Sequence, residues 1–159
     1  MFFFNYQTSP ASVTEVESLS PKIQRIRISN PSIQNKSWQR GDKVKVQINS
    51  TLRSYTPARV NVEEGWMDLI FFLHGNGQAS DWAESAQVGM NSPFLGPARS
   101  MPFVDTIPDW VMFLGDETTV GLAVNLLEGI PQSVKKYGAI ELAQEDQGCL
   151  KKLNLNLQP

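Results

Sequence analysis

The sequence predicts two parts: an antiparallel β-barrel or sandwich over residues 1–100 and, after a linker at residues 101–109, the start of a parallel α/β domain over residues 110–159. In the first part, short stretches of alternating apolar and polar residues are separated by turn residues, which is typical of antiparallel sheets. The second part has a strand, helix, strand order, which favours a parallel sheet. With 41% hydrophobic and 19% charged residues, the 159-residue chain has an ordinary globular composition.

The spacing of apolar side chains predicts most strands of the first part. Residues 22–29 and 43–48 alternate, so Ile26 and Ile28 share one face of the first stretch, and Val44, Val46 and Ile48 share one face of the second. After a hairpin turn at Glu64-Gly65, the dense apolar run over residues 67–73 predicts a strand covered on both faces. A glycine and proline turn at residues 96–100 ends this part.

The strand predicted over residues 52–62 carries the most informative side chains. Pro57 interrupts it, which indicates an edge position or a bulge, because proline cannot donate to a neighbouring strand. Arg53 and Tyr55 share one face of this strand, and Thr56 follows them. A guanidinium for phosphate and a ring for stacking would suit one flat, anionic ligand, and a flavin nucleotide fits that description.

A glycine-rich loop at residues 74–80 follows the buried strand. Ser80 is a candidate N-cap for a short helix over residues 81–86. A strand, a glycine loop and a helix N-terminus point several backbone N–H groups in one direction, which suits an anion such as phosphate. The alternative is a glycine loop that only turns the chain, which is the more common case for an isolated Gly-x-Gly.

The second part begins with a continuous apolar strand at residues 110–114. Gly115-Asp116 is predicted as a turn with Asp116 as N-cap, and residues 117–128 have the periodicity of a helix. Residues 138–142 predict a second strand. The alternating residues 153–157 predict one more, which could pair with this small sheet or with another copy of the chain. The segment is shorter than a complete dinucleotide-binding half.

Charge and composition narrow the classes of function. The net charge of −2 and the absence of a basic stripe argue against a nucleic-acid partner. The single cysteine, Cys149, excludes an internal disulfide, and the single histidine, His74, excludes a multi-histidine metal site. No stretch approaches the roughly 20 apolar residues of a membrane span, so we expect no membrane partner and a cytoplasmic location.

Three motifs together resemble the siderophore-interacting protein family, which consists of FAD-dependent ferric-siderophore reductases of the ferredoxin–NADP reductase superfamily. Residues 53–59 match the family's Arg-x-Tyr-Thr flavin motif. Residues 73–83 match its His-Gly-x-Gly-x-Ala-Ser-x-Trp-Ala signature, and residues 110–118 match the Gly-Asp-Glu-Thr turn that opens its nucleotide domain. The order and spacing of the motifs agree with the family over about residues 14–142, and their conjunction is far more specific than any one of them.

The resemblance implies a six-stranded antiparallel flavin-binding barrel followed by an incomplete Rossmann-like nucleotide-binding domain. It implies noncovalent FAD, NADPH or NADH as co-substrate or ferredoxin as electron source, and a ferric siderophore as substrate. No protein group is expected to be catalytic or to bind metal. The implied FAD-binding residues are Arg53, Tyr55, Thr56, Leu73, His74, Gly75, Gly77, Ala79, Ser80 and Trp82. The implied nucleotide-binding residues are Gly115, Asp116, Glu117 and Thr118.

Each of these residues also has a structural explanation. Tyr55 could be a core aromatic, Trp82 could pack against the barrel, and Asp116 could act only as a helix cap. Arg53 and Arg59 could pair with surface acids such as those at residues 63–64. Three other functions remain open. They are an FAD-binding fragment without turnover, a general flavin-dependent ferric or quinone reductase, and a colourless interaction domain.

Overall fold

The computed structural model describes residues 7–101 and 108–158. The apolar start at residues 1–6 and most of the predicted linker, residues 102–107, lie outside the described residues. The strands are β1 Ser12–Ser18, β2 Ile23–Ser29, β3 Lys43–Ile48, β4 Thr51–Tyr55, β5 Arg59–Asn61, β6 Trp66–Phe72, β7 Phe94–Ala98, β8 Trp110–Asp116 and β9 Lys135–Glu141. The helices are α1 Gln78–Glu84, α2 Val120–Glu128 and α3 Gly148–Lys152, with 3₁₀ turns at Pro31–Ile33, Glu117–Thr119 and Gln144–Asp146.

The first part contains two antiparallel sheets. One has the order β1-β2-β6-β5 and the other the order β4-β3-β7. The antiparallel sheets are as expected, but they are not joined into one closed sheet among the described residues, so the six-stranded barrel is not confirmed. The chain passes from one sheet to the other at Pro57, between β4 and β5, and each of these strands has one strand neighbour. This confirms the edge position predicted from the proline.

Two strands were not expected from the sequence. In β1 (Ser12–Ser18), polar and acidic side chains mask the apolar alternation, and only Val13 of this strand is buried. In β7 (Phe94–Ala98), Gly96 and Pro97 predicted a turn, yet these residues are part of a strand that pairs with β3. β7 tolerates the proline because it lies at the edge of its sheet.

The two faces of β6 pack into two hydrophobic clusters. Leu69 and Phe71 belong to the cluster between the two antiparallel sheets, together with Val44 and Val46 of β3. Ile70 points the other way, as the alternation of a strand requires, and packs in a second cluster with α2, α3 and the neighbouring loops. The antiparallel sheets and the α/β segment therefore share β6 as a common wall.

In the α/β segment, β8 and β9 pair in parallel and α2 crosses between them. The predicted turn at Gly115 is wrong, since Gly115 pairs with Ile140 inside the strand, while the N-cap at Asp116 is confirmed. The end of the described chain pairs with β9 through a bridge between Tyr137 and Gln158. Among the described residues, no helix is both long and apolar enough to cross a membrane.

Candidate functional site

Arg53 lies on the inner face of the edge strand β4. It is the direct cross-strand partner of Val46, which is fully buried, yet Arg53 itself is exposed. Within the described residues its guanidinium has no hydrogen-bond or ion-pair partner. The group is therefore available to bind an anion from outside the protein.

Tyr55 stands two residues further along the same face. Its ring centroid lies 4.6 Å from that of Phe71 at an interplanar angle of 44°, and the ring of Phe71 lies 5.5 Å from that of Trp82. Burial raises the pKa of the Tyr55 phenol to about 12, and the nearby Arg53 charge acts in the opposite direction. Tyr55 is thus anchored to the core on one side and half-exposed on the other.

The structure places Trp82 deep in this aromatic row. It is only 7% exposed and packs with Phe71 in the core. This agrees with the structural explanation for Trp82. Any influence of its ring on a ligand would be transmitted through Phe71 and Tyr55.

The loop at residues 74–78 is exposed and turns on two glycines. Gly75 and Gly77 have positive φ values of 76° and 116°. Residues other than glycine are strained in this region of backbone conformation. The sequence predicted Ser80 as the N-cap of α1, and this is wrong because the N-cap is Gly77. Ser80 is buried, and its hydroxyl accepts a hydrogen bond from the Gly75 N–H at 3.2 Å.

The remaining loop groups divide between packing and exposure. The Nδ1 atom of His74 accepts a hydrogen bond from the Asn76 N–H at 3.3 Å, and its ring lies 6.2 Å from that of Phe72. Leu73 and Ala79 are partly buried against the core between the sheets. The first N–H groups of α1 have no acceptor within the helix, as in any helix, and Gly77 has no side chain that could accept from them.

A contact between Thr51 and Gln78 brings the two predicted groups of residues together. The Thr51 hydroxyl lies 3.3 Å from Oε1 of Gln78, so the start of α1 lies against the beginning of β4. Thr51 is on the same face as Arg53, two residues away. The free guanidinium, the half-exposed ring of Tyr55 and the open glycine loop therefore line one region, and this donor set suits a flat ligand that carries phosphate.

The residues predicted to bind a nucleotide lie where β8 ends and the capped 3₁₀ turn at Glu117–Thr119 begins. The Asp116 carboxylate accepts hydrogen bonds from the Thr118 N–H at 3.0 Å and from the Thr118 hydroxyl at 2.6 Å. These bonds lower the pKa of Asp116, with the Thr118 side chain as the largest cause. A Cβ on Gly115 would lie 2.1 Å from Oγ1 of Thr119, so a side chain at this position would displace that hydroxyl. Glu117 begins the 3₁₀ turn that leads into α2.

The sequence did not predict that α2 contacts the segment that follows β4. Arg59 pairs with Glu128 of α2, and not with the acids at residues 63–64. Asn125 of the same helix bonds to the backbone of Pro57. The sequence does contain a signal for this: Asn125 and Glu128 are the two polar residues of a helix that is otherwise apolar.

Residues 31–101, which include β4, the glycine loop and α1, match the family described as the siderophore-interacting FAD-binding domain. The sequence of this part of the chain is thus similar to that family. The resemblance inferred from the three motifs is confirmed. The matched range of the siderophore-interacting FAD-binding domain contains all ten residues that the sequence assigned to FAD, although their individual roles stay predictions.

The similar proteins agree with this family. The ferric vibriobactin reductase of Vibrio cholerae is 30% identical over 91 residues, which are 57% of this chain and 33% of that protein. The chain thus matches about a third of the length of this relative. A solved siderophore utilization protein from T. fusca has a TM-score of 0.79 and 22% identity over 89% of this chain and 63% of its own.

A ferredoxin reductase extends the likeness beyond siderophore proteins. The ferredoxin reductase in carbazole 1,9a-dioxygenase has a TM-score of 0.75 and 14% identity, and the match covers 96% of this chain and 48% of that chain. The described residues therefore have the fold of the ferredoxin-reductase-like proteins, in which antiparallel sheets precede an α/β segment.

Proposed function

We propose that this chain binds FAD noncovalently between β4 and the loop at residues 74–80, and that it serves the reduction of ferric siderophores. The electrons would come from NADPH, NADH or ferredoxin. The proposal includes the domain boundaries predicted from the sequence, with the flavin part over residues 1–100 and the nucleotide part over residues 110–159.

The observation that carries the proposal is the free, exposed guanidinium of Arg53 beside the half-exposed ring of Tyr55. An arginine on the inner face of a sheet, with no partner among the residues that the structure describes, contributes little to folding. Its position is explained by an anionic ligand, and the pyrophosphate of FAD is the anion that the family relationship supports.

The protein groups would act by binding and orienting. Arg53 would pair with the pyrophosphate, and the N–H groups of residues 77–79 at the start of α1 would add hydrogen bonds to it. Tyr55 would pack against the isoalloxazine ring, held at its angle by Phe71. Thr56 would offer a hydrogen bond near the reactive nitrogen of that ring.

The electron transfer itself would need no protein nucleophile. Bound FAD supplies the ability to take two electrons from a nicotinamide and to give them singly to Fe(III). Hard oxygen ligands hold Fe(II) less strongly than Fe(III), so reduction would release the metal from its chelator. The residues at the end of β8 and in the 3₁₀ turn after it, Gly115, Asp116, Glu117 and Thr118, would contact the electron-donating nucleotide.

The test is a visible absorption spectrum of the purified chain after incubation with FAD and desalting, followed by anaerobic addition of NADPH and then of a ferric siderophore. Retained flavin that NADPH bleaches and that the ferric siderophore reoxidises would support the whole proposal. Flavin that only dithionite bleaches would support FAD binding and argue against NADPH as donor to this chain. A colourless protein after desalting would overturn the assignment of Arg53 and Tyr55.

A further inference from the structure

The carboxamide of Asn125 lies across the end of the β3–β4 ladder. Its Nδ2 donates to the carbonyl of Pro57 at 2.8 Å, and its Oδ1 accepts from the N–H of Gly41 at 2.7 Å. The last paired residues of the ladder on this side are Val44 and Tyr55. Continuing that register brings Gly41 close to Pro57. Asn125 therefore links the segment before β3 to the segment after β4, just beyond the last paired residues of these two strands.

The chemistry of the two partners fixes which side chain can do this. The carbonyl of Pro57 can only accept a hydrogen bond, and the N–H of Gly41 can only donate one. A carboxamide satisfies both at once. An aspartate at position 125 could still accept from Gly41, but it would turn an oxygen with no proton toward the carbonyl of Pro57.

One face of α2 follows the segment after Tyr55 along its length. Gly121, Asn125 and Glu128 are spaced by four and three residues, so they lie on the same side of the helix. In order, the contacts are Gly121 to Thr56, Asn125 to Pro57 and Glu128 to Arg59. The approach at Gly121 is close, because a Cβ there would lie 3.2 Å from the carbonyl oxygen of Thr56.

We propose that Asn125 is a positioning residue for the flavin: by fixing the backbone of Pro57, it holds Tyr55 and Thr56 in the arrangement that meets the isoalloxazine ring. This inference rests on the proposed FAD site and assigns part of it to the α/β segment. The segment over residues 56–58 connects two different sheets. The N–H of Ala58 bonds to the carbonyl of Asp68 in β6 at 2.8 Å, whereas the carbonyl of Pro57 accepts its hydrogen bond from Asn125. Asn125 provides that constraint from a third element.

The experiment compares FAD binding by the unsubstituted chain, by Asn125→Asp and by Glu128→Gln. Asn125→Asp removes the donor to Pro57 with almost no change of shape. Glu128→Gln is the matched control, because it weakens another contact between α2 and the same segment, one turn farther from the proposed flavin contacts. We expect Asn125→Asp to raise the Kd for FAD about tenfold and to shift the visible spectrum and midpoint potential of the bound flavin.

The control separates positioning from a purely structural role. Glu128→Gln should change the melting temperature of the apoprotein and leave the FAD Kd and the flavin spectrum as they are. If Asn125→Asp binds FAD with an unchanged Kd, spectrum and potential, the positioning inference is overturned while the proposed function stands. If the unsubstituted chain retains no FAD, both are overturned.

Gly121→Ala provides a second route to the same segment should Asn125→Asp not fold. Its added methyl group would press on the carbonyl of Thr56 from the same helix face. We expect a weaker FAD affinity and a shifted flavin spectrum here also. An unchanged Kd and spectrum in a folded Gly121→Ala would count against the inference in the same way.

Discussion

Arg53 and Val46 are direct cross-strand partners on the inner face of the β4-β3-β7 sheet, yet Val46 is fully buried and Arg53 is exposed. The inner face is therefore covered at β3 and open at β4, one strand away. The opening is where the unpaired guanidinium and the half-exposed ring of Tyr55 meet. This relationship is the basis of the first prediction.

Replacement of Arg53 by glutamine should weaken FAD binding by about 10- to 100-fold, because charge-assisted hydrogen bonds to phosphate are worth about 1.5–3 kcal/mol. The loss should shrink at high salt, since the missing term is electrostatic. Fluorescence titration with FAD at two ionic strengths measures both effects. Lys43→Gln is the control, as it removes an exposed cation on the adjacent strand β3. Equal losses for both variants would contradict a specific role for Arg53.

Tyr55 should ionise near pH 12 in the folded apoprotein, because burial raises the pKa of its phenol to about 12 from an ordinary 10.0. Between these two values the unfolded chain has released its proton and the folded chain has not. Stability should therefore fall as the pH rises from about 10 towards 12. Absorbance titration at alkaline pH, compared with Tyr55→Phe, reports the ionisation. A Tyr55→Phe variant with an unchanged titration curve would refute the prediction.

Asp68 should be among the most costly polar residues to replace. Its carboxylate is 1% exposed and accepts hydrogen bonds from Arg25 at 3.2 Å and from Arg27 at 2.8 and 3.0 Å. Asp68→Asn should lower the free energy of unfolding by about 3 kcal/mol, because two partly buried guanidinium groups lose their shared partner. Glu17→Gln, at an exposed acid that pairs with Arg25, should cost less than about 1 kcal/mol. Urea denaturation compares the two, and similar midpoints would contradict the expectation.

Gly138 should not tolerate a side chain. It has a φ of 139°, and a Cβ there would lie 1.8 Å from the carbonyl oxygen of Phe113 in the neighbouring strand. Gly138→Ala should therefore destabilise the β8–β9 pair by about 3 kcal/mol or more. At Gly148, where an added Cβ meets nothing within 4 Å, alanine should change stability by no more than about 1 kcal/mol. Thermal unfolding of both variants tests the difference.

Local patterns predicted much of the fold because they depend on neighbouring residues. The alternation at residues 22–29 and 43–48, the break at Pro57 and the cap at Asp116 all appear in the structure. The strand over residues 94–98 was missed, since glycine and proline usually signal a turn and only pairing with a distant strand overrides that preference.

In the candidate site, too, the features that depend on local spacing could be predicted, and those that depend on packing between distant elements could not. Arg53 and Tyr55 could be placed on one face from their spacing alone. The burial of Ser80 was not predicted, because it depends on how α1 docks on the sheets, whereas packing of Trp82 against the barrel was one of the alternatives left open by the sequence. The contact of Asn125 with Pro57 joins residues 68 apart in the chain, and no local rule connects them.

Because the two faces of β6 pack in two different hydrophobic clusters, this strand affects how the protein unfolds on heating. Leu69 and Phe71 seal one hydrophobic cluster while Ile70, between them in the chain, seals the other. Pulling the α/β segment away would expose Ile23, Ala58 and Ile70 to water, so neither half can lose its packing without weakening the other. Heating should therefore produce a single cooperative transition, with the antiparallel sheets and the α/β segment acting as one thermodynamic unit.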